Sequence, residues 1–431
     1  MKLLVNPSPE IWQKHLARPA MDTKKIKKII KPIFEKVAKS GDKALRKFAQ
    51  EYDHVHLDSL LATTEEIQAA ANLLPPELIK AIALAKSNLE KFHAAQATPE
   101  LVVEVMPGVT CSRKSIPIQR VGLYIPGGTA PLFSTVLMLG IPAQLAGCRE
   151  IALCTPTNRK GEIHPAILYT AQLVGITKVV KIGGAQAIAA LTFGTESVPK
   201  VDKIFGPGNQ YVTAAKQEAT KYGVAIDMPA GPSEVLVYAD ETAIPAFVAA
   251  DLLSQAEHGV DSQVVFVTNS EKFAHKVMAE INLQLEKLSR KEIAAKALTN
   301  SCAVILENQA SAIALINEYA PEHLILAVKK EEEITRQIHS AGSVFLGNYS
   351  PEAAGDYASG TNHTLPTSGY ARNYSGVSLD SFVKKITYQK ITPKGLKTLG
   401  PAVEIMATNE QLDAHKQAVS VRLEYLKQQK K

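Results

Sequence analysis

From Val121 onward this chain alternates short β-branched runs with apolar-periodic segments of helical length, and that alternation narrows the fold more than any other feature. Strands are expected at Val121–Ile125, Ile151–Thr155, Val179–Ile182, Asp202–Phe205 and Ala225–Asp227, with helices between them, the first from about Ser134 to Ala146. The pattern restarts at Glu234–Tyr238 and runs on through Gln263–Thr268, Ala303–Leu306, His323–Ala327 and Ser343–Leu346. Strands that each return through a helix build parallel sheets with right-handed crossovers, so the expected class is α/β with two doubly wound modules. The first ~120 residues read mostly as amphipathic helix, with Ser40-Gly41-Asp42 capping one helix and Thr64-Glu65-Glu66 opening another. Thr408 and Gln411 stand at capping-box spacing and are expected to open a last helix running to about Gln428.

Composition removes several classes. Of 431 residues, 46% are hydrophobic and 21% charged, which supplies substantial cores and excludes disordered and collagen-like chains. Four scattered cysteines without a CxxC pair do not make a disulfide framework. The excess of 48 basic over 42 acidic side chains is mild. Its basic runs (Lys24, Lys25, Lys27, Lys28 and Lys427, Lys430, Lys431) carry no interleaved aromatics, so they read as solvated helix faces rather than a nucleic-acid stripe. The uncharged stretch Val121–Cys148 is broken by Pro126, Gly127, Gly128, Pro131 and Pro142, which suits a buried strand, loop and helix better than a membrane span. The opening Met1–Pro7 lacks the apolar core of roughly 7–15 residues that a secretory signal needs. A soluble cytoplasmic protein is expected.

Three successive strands of the first module end in glycine loops: Tyr124-Ile125-Pro126-Gly127-Gly128, Ile182-Gly183-Gly184-Ala185-Gln186 and Phe205-Gly206-Pro207-Gly208-Asn209. Open parallel sheets bind ligands where such loops meet helix N-termini, and bare N–H groups there suit a pyrophosphate. Gln186 and Asn209 could hydrogen-bond a ribose or an amide. Glycines also close βα turns without any ligand, and the GxGxxG fingerprint is absent.

A second set of residues is polar. Gln255 and His258, three apart near the expected end of a helix, project from one face, with Gly259 as the expected C-cap; interaction with the helix dipole alone would explain His258. Glu322-His323, between a helix and a strand, suits general acid–base work, although neighbours on a strand point apart. Asp356 and His363 lie in a long polar loop, where function concentrates. His415 falls on an apolar stripe with Leu412, Val419, Leu423 and Leu426, where a core histidine is the ordinary reading. Gln255, His258, Asp356 and His415 together would form an N₂O₂ set that zinc accepts, a set that residue types permit without selecting. Cys111 and Cys148 are the candidates for a covalent nucleophile, though neither has a histidine beside it in sequence. A non-catalytic nucleotide- or RNA-binding protein and a zinc hydrolase are the readings from other classes.

The segments Val121–Gly128, Gly183–Ala187, Phe205–Asn209, Met228–Glu234, Ser254–Gly259, Pro321–Leu324 and Gly355–His363, followed by Asp413–Lys416, resemble histidinol dehydrogenases, in order and over nearly the whole chain. The resemblance implies oxidation of L-histidinol through an aldehyde to L-histidine by two NAD⁺, the last two steps of histidine biosynthesis, on a zinc-dependent homodimer. It implies zinc ligation by Gln255, His258, Asp356 and His415, with His415 supplied by the partner subunit. Glu322 and His323 become the acid–base pair. Ser233, Glu410 and His363 match substrate-contacting positions, joined there by the ligands and His323, while Tyr124, Gln186 and Asn209 match NAD-contacting ones. The implied architecture is two incomplete Rossmann-like modules, one inserted in the other, with small helical terminal segments. We place the N-terminal segment at 1–20, the main module at 21–120 and 234–380, the inserted NAD-side module at 121–233, and the segment reaching the partner at 381–431.

Overall fold

A computed structural model describes residues 1–19, 23–127, 130–229 and 231–429; Gly128, Ala230, Lys430 and Lys431 lie outside them, as does the expected boundary at residue 20. The chain divides into two compact units, one of Met1–Gln96 with Ile118–Phe382 and the other of Ala97–Pro117 with Val383–Lys431.

The larger unit holds two parallel sheets. The first runs Lys178–Val180, Glu150–Cys154, Arg120–Tyr124, Lys203–Phe205, Ala225–Ile226 across its width. The second runs Lys2–Val5, Cys302–Ile305, Gln263–Thr268, Glu234–Ala239, His323–Ala327, Ser343–Leu346. Numbered within its own module, each sheet has the order 3-2-1-4-5, the Rossmann order without its sixth strand, and the second gains Lys2–Val5 as an extra edge. The inner strands are buried on both faces, which is why they read as unbroken apolar runs in sequence. Three expected strands, Gln263–Thr268, His323–Ala327 and Ser343–Leu346, coincide with the observed ones.

Helices cover both faces. On one face of the five-stranded sheet, Phe34, Leu45 and Phe48 of the helical segment Thr23–Tyr52 pack with Ile188 and Leu191; on the other, Ile82 and Leu89 pack with Leu137 and Leu139. The span 21–120, expected with the six-stranded sheet, does not pack there. Its helices bury their apolar stripes on the five-stranded sheet, its residues 97–117 join the smaller unit, and the six-stranded sheet is completed by residues 2–16. An amphipathic stripe records that a helix packs, not which sheet it packs on.

The helix ends follow local chemistry. Gly41 breaks the Thr23–Tyr52 helix at φ +47°, and Asp42 accepts hydrogen bonds from Thr195 Oγ1 (2.6 Å) and Ser197 N (3.2 Å). The next helix is capped by a reciprocal Thr63–Glu66 box, one residue earlier than Thr64. Lys27 and Lys28 lie on an exposed helix face opposite buried Ile26 and Ile30, as expected of a solvated run. Among the described residues no helix is long and apolar enough to cross a membrane.

Phe382 closes the larger unit, fully buried and stacked on Phe205 at a centroid distance of 4.0 Å. Phe382→Ala is expected to lower the unfolding free energy by about 3–5 kcal/mol, the usual cost of deleting a buried aromatic ring. A urea transition that keeps its slope and moves its midpoint down would show it.

The smaller unit is an antiparallel sheet ordered Val383–Ile391, Val109–Pro117, Leu101–Met106, with helices Pro393–Asn409 and Asp413–Gln428. Val419 and Leu423 pack over Gly400, where any side chain would collide with Leu423. The expected capping box at Thr408 does not form. Thr408 lies inside the preceding helix, its hydroxyl donating to the Glu404 carbonyl (2.7 Å), and Gln411 makes the turn at φ +60°.

Candidate active site

The two sheets of the larger unit contribute opposite edges. The five-stranded sheet offers the carboxyl ends of its strands, with Tyr124, Gly184 and Asn209, whereas the six-stranded sheet offers amino ends, with Ser233, Glu234, Glu322 and His323. A cavity of about 250 Å³ is lined by Asn209, Ser233, His258, Glu322 and His363. A larger one of about 870 Å³ is lined by Asp53, Tyr124, Arg159, Gly184 and Asn209, and Asn209 lines both.

Glu322 and His323 converge despite their adjacency, because only His323 belongs to the strand. The preceding helix stops at Ala320 in the left-handed region (φ +50°), and Pro321 carries the chain on to Glu322. Glu322 Oε2 lies 3.7 Å from His323 Nδ1. Both residues are held by the backbone of Glu234: its N–H donates to Glu322 Oε2 (2.9 Å) and its C=O lies 3.3 Å from His323 Nδ1. That contact places a proton on Nδ1 and leaves Nε2, buried and 3.3 Å from Asp356 Oδ1, to exchange one. Burial pushes Glu322 up to about 8. At His323 burial works against the charged form, but the carboxylates of Glu322, Asp356 and Glu352 outweigh it and push the ring up to about 10.

Gln255 and His258 stand at the end of the helix Pro245–Ala256, which closes two residues before the expected His258, with Glu257 rather than Gly259 as its cap. Gln255 is fully buried. Turned so that no acceptor faces an acceptor, its amide donates to Glu352 Oε1 (3.0 Å) and accepts from Glu234 N–H (3.2 Å). Asp356 lies in the short helix Glu352–Tyr357. Burial would raise its carboxyl, but His323, His363 and His258 around it hold it below the ordinary value. Burial pushes His258 and His363 down, so both favour the neutral ring that a metal or a proton needs. His363 is fixed at both nitrogens, with Nδ1 2.8 Å from the Asp356 carbonyl and Nε2 3.0 Å from Thr135 Oγ1.

Among the described residues no three His, Cys, Asp or Glu side chains stand together as a metal-holding group. The donor chemistry still fits a cation: one amide, one imidazole and one ionised carboxylate, two of them at the negative end of a helix dipole. His415, on the helix Asp413–Gln428 of the smaller unit, is exposed and is not the core histidine its stripe suggested; Glu410, at the end of the preceding helix, is exposed too.

At the larger cavity, Tyr124 is buried with its hydroxyl pushed up to about 12 by that burial, and it accepts from Gly184 N–H at 3.0 Å. Gln186 is buried, its amide folded beside Gly184. Asn209 caps the helix Gln210–Ala219 through the N–H groups of Tyr211 and Val212, a task that residue type alone also explains. Cys148 is poorly placed as a nucleophile. Burial pushes its thiol up to about 12, and it faces the Phe382 carbonyl at 3.8 Å.

Sequence reasoning missed Glu234 and Glu352, both buried. Glu234 opens an otherwise apolar strand, and that was the available signal: an acid has no reason to sit there unless something holds it. Asp251, on the same helix as Gln255, is pushed up to about 7 by burial. The folded chain therefore keeps its proton where the unfolded chain has lost it, and stability falls as pH rises from about 4 to about 7. Asp251→Asn is expected to flatten that fall, so its melting midpoint exceeds the parent's at pH 8 and converges on it near pH 4. Parallel thermal melts across this range check the sign.

The sequence profile described as histidinol dehydrogenase matches residues 16–423. The chain belongs to the histidinol dehydrogenase family. It is 60% identical to a histidinol dehydrogenase of Bacteroides thetaiotaomicron over 99% of this chain and 100% of that one, and 53% identical to one of Mannheimia succiniciproducens over 96% of each. The crystal structure of histidinol dehydrogenase from Elizabethkingia anophelis superposes with a TM-score of 0.97 at 57% identity, covering 99% of both chains. Membership makes the chain an oxidoreductase, and the paired open α/β sheets are the fold of a histidinol dehydrogenase.

Proposed function

We propose that this chain oxidises L-histidinol to L-histidine by way of the aldehyde, with two NAD⁺ consumed in succession and zinc bound beside the catalytic pair. The observation that carries the reading is the buried Glu322–His323 pair, anchored on the Glu234 backbone, with Glu322 lining a cavity that Asn209 shares with the larger cleft. When bound, NAD⁺ supplies a hydride acceptor, and zinc supplies an anchor for the substrate's imidazole and amine. We assign Gln255, His258 and Asp356 to the metal, with His415 from the partner subunit of a homodimer completing an N₂O₂ set. The larger cleft, lined by Tyr124 and Asn209, is assigned to the dinucleotide together with Gln186, which is buried beside Gly184 at its edge, and Ser233, His363 and Glu410 are assigned to the substrate.

The proton traffic falls to the chain's own residues. His323 Nε2 takes the alcohol proton as hydride leaves the carbinol carbon. Glu322, within 3.7 Å of the other ring nitrogen, deprotonates the water that hydrates the aldehyde. His323 returns its proton to the carbonyl oxygen in that hydration, which completes the gem-diol and frees the ring to take a proton again as the second hydride departs; Glu322 sheds its proton to solvent. Burial of both groups excludes bulk water from these transfers and strengthens each electrostatic contact.

The deciding experiment is NADH yield from a limiting, known amount of L-histidinol with excess NAD⁺. Two NADH per histidinol, lost on chelation and regained with zinc, is the expected result. One NADH per histidinol would confine the enzyme to the alcohol step and withdraw the water-activating role given to Glu322. None from folded, zinc-loaded protein would overturn the reading.

A further inference from the structure

Below the Gly206-Pro207-Gly208 loop lies a buried ion pair that the chemistry above does not use. Lys216, on the helix Gln210–Ala219, and Asp227, just after the strand Ala225–Ile226, are paired with side chains only 3% and 1% exposed. Their hydrogen bonds converge on one residue. Lys216 Nζ donates to the Gly206 carbonyl (2.8 Å), and Asp227 Oδ2 accepts from the Gly206 N–H (2.8 Å). Asp227 Oδ1 also accepts from Met228 N–H (2.7 Å), at the start of the segment that crosses to Ser233 and the second sheet. Gly206 itself sits at φ +129°, so close to Tyr124 that a side chain would collide with the Tyr124 carbonyl. Both charged residues line the smaller cavity.

Taking two charges this far out of water is costly, and apolar side chains of similar volume often pack as stably as a buried ion pair. Stability therefore does not account for it. What the pair does is fix both polar groups of Gly206, and through it the backbone next to Tyr124, the entry to Asn209 and the exit toward Ser233.

We propose that Lys216 and Asp227 are positioning residues that clamp the Gly206 loop in the geometry that receives the dinucleotide. The proposal rests on the assignment of the Tyr124–Asn209 cleft to NAD. Its test is NADH affinity by fluorescence titration of the full chain, with thermal midpoints in parallel, for Lys216→Met, Asp227→Leu and the double variant. Each single variant is expected to bind NADH roughly tenfold or more weakly, as misplaced contacts do, and to melt lower, because one charge is left buried and unpaired. The double variant is expected to regain the melting point while keeping the weakened affinity. A purely structural pair would let both recover together, and parental NADH affinity in the folded double variant would overturn the proposal.

Should those variants fail to fold, Asp227→Asn keeps the shape but offers one side-chain oxygen where the Gly206 and Met228 N–H groups now take two, so the grip on the loop is weakened. It is expected to lose affinity severalfold, and parental affinity in it would also overturn the clamp. A parent protein that binds no NADH would instead sink the assignment of the cleft, and the clamp with it.

Discussion

Replacing His323 by asparagine is expected to cut NADH formation from L-histidinol by roughly a hundred- to ten-thousand-fold, the usual contribution of a positioned acid–base group. Asparagine can still donate to the Glu234 carbonyl, so the fold and dinucleotide affinity should hold, and the loss belongs in kcat. A variant that loses only KM would demote His323 to a substrate contact. The neighbouring change has a signed pH signature. The Glu322 carboxylate is the largest of the influences holding the His323 ring protonated, up to about 10. Glu322→Gln should therefore move the alkaline rise of the rate to lower pH for the alcohol step, while the aldehyde step, which needs an activated water, falls at every pH. Supplying the aldehyde directly separates the two steps. A pH profile that does not move would show that the two groups are not coupled.

The second large effect concerns His415. Single His258→Ala and His415→Ala proteins should each be inactive, and after subunit exchange a one-to-one mixture should recover about a quarter of the parent activity. Half of randomly reassorted dimers are hybrids, and in each hybrid one of the two shared sites carries both lesions while the other carries none. If His415 served its own chain, every site in the mixture would carry one lesion, and demonstrated exchange without recovery would decide the matter. The exposed position of His415 on its helix is the reason to look to a second chain, since a buried stripe residue would have no such freedom.

Much of the larger unit was legible because its strands are buried on both faces. Gln-Val-Val-Phe-Val-Thr at 263–268 and His-Leu-Ile-Leu-Ala at 323–327 carry their class in an apolar, β-rich run bounded by helices, without any partner needing to be known. The smaller unit was not legible for the opposite reason. Val383–Ile391 pairs antiparallel with Val109–Pro117 from Val383 opposite Pro117 to Ile391 opposite Val109, far apart in sequence, and its lysine-rich string has no buried face to advertise it. Gln411 shows a different limit, because nothing in a glutamine announces a backbone at φ +60°.

The site divides in the same way. Gln255, His258, Glu322, His323, Asp356 and His363 could be picked out by type and company, but the rule that ligands meet strand carboxyl ends pointed only to the nucleotide side. The Glu322–His323 pair lies at the amino ends of the second sheet, where an acid in a strand's first position was the available clue. Asn209 carries both meanings at once, as a helix cap and as a wall of both cavities. Residue type cannot separate those roles.

The added edge strand has a consequence for how the chain comes off the ribosome. Lys2–Val5 pairs in parallel with Cys302–Ile305, so that strand waits for a partner 300 positions downstream. At ~5–20 residues per second that wait is roughly 15–60 s. All five strands of the other sheet have been made by Ile226, so that sheet can assemble while the leading segment is still unpaired. The delay has a use: when Cys302–Ile305 emerges, the strand that will cover its open side is already present at high effective concentration on the same molecule. Apolar strand edges are where nascent chains pair with the wrong neighbour, and this one is covered by residues made long before it.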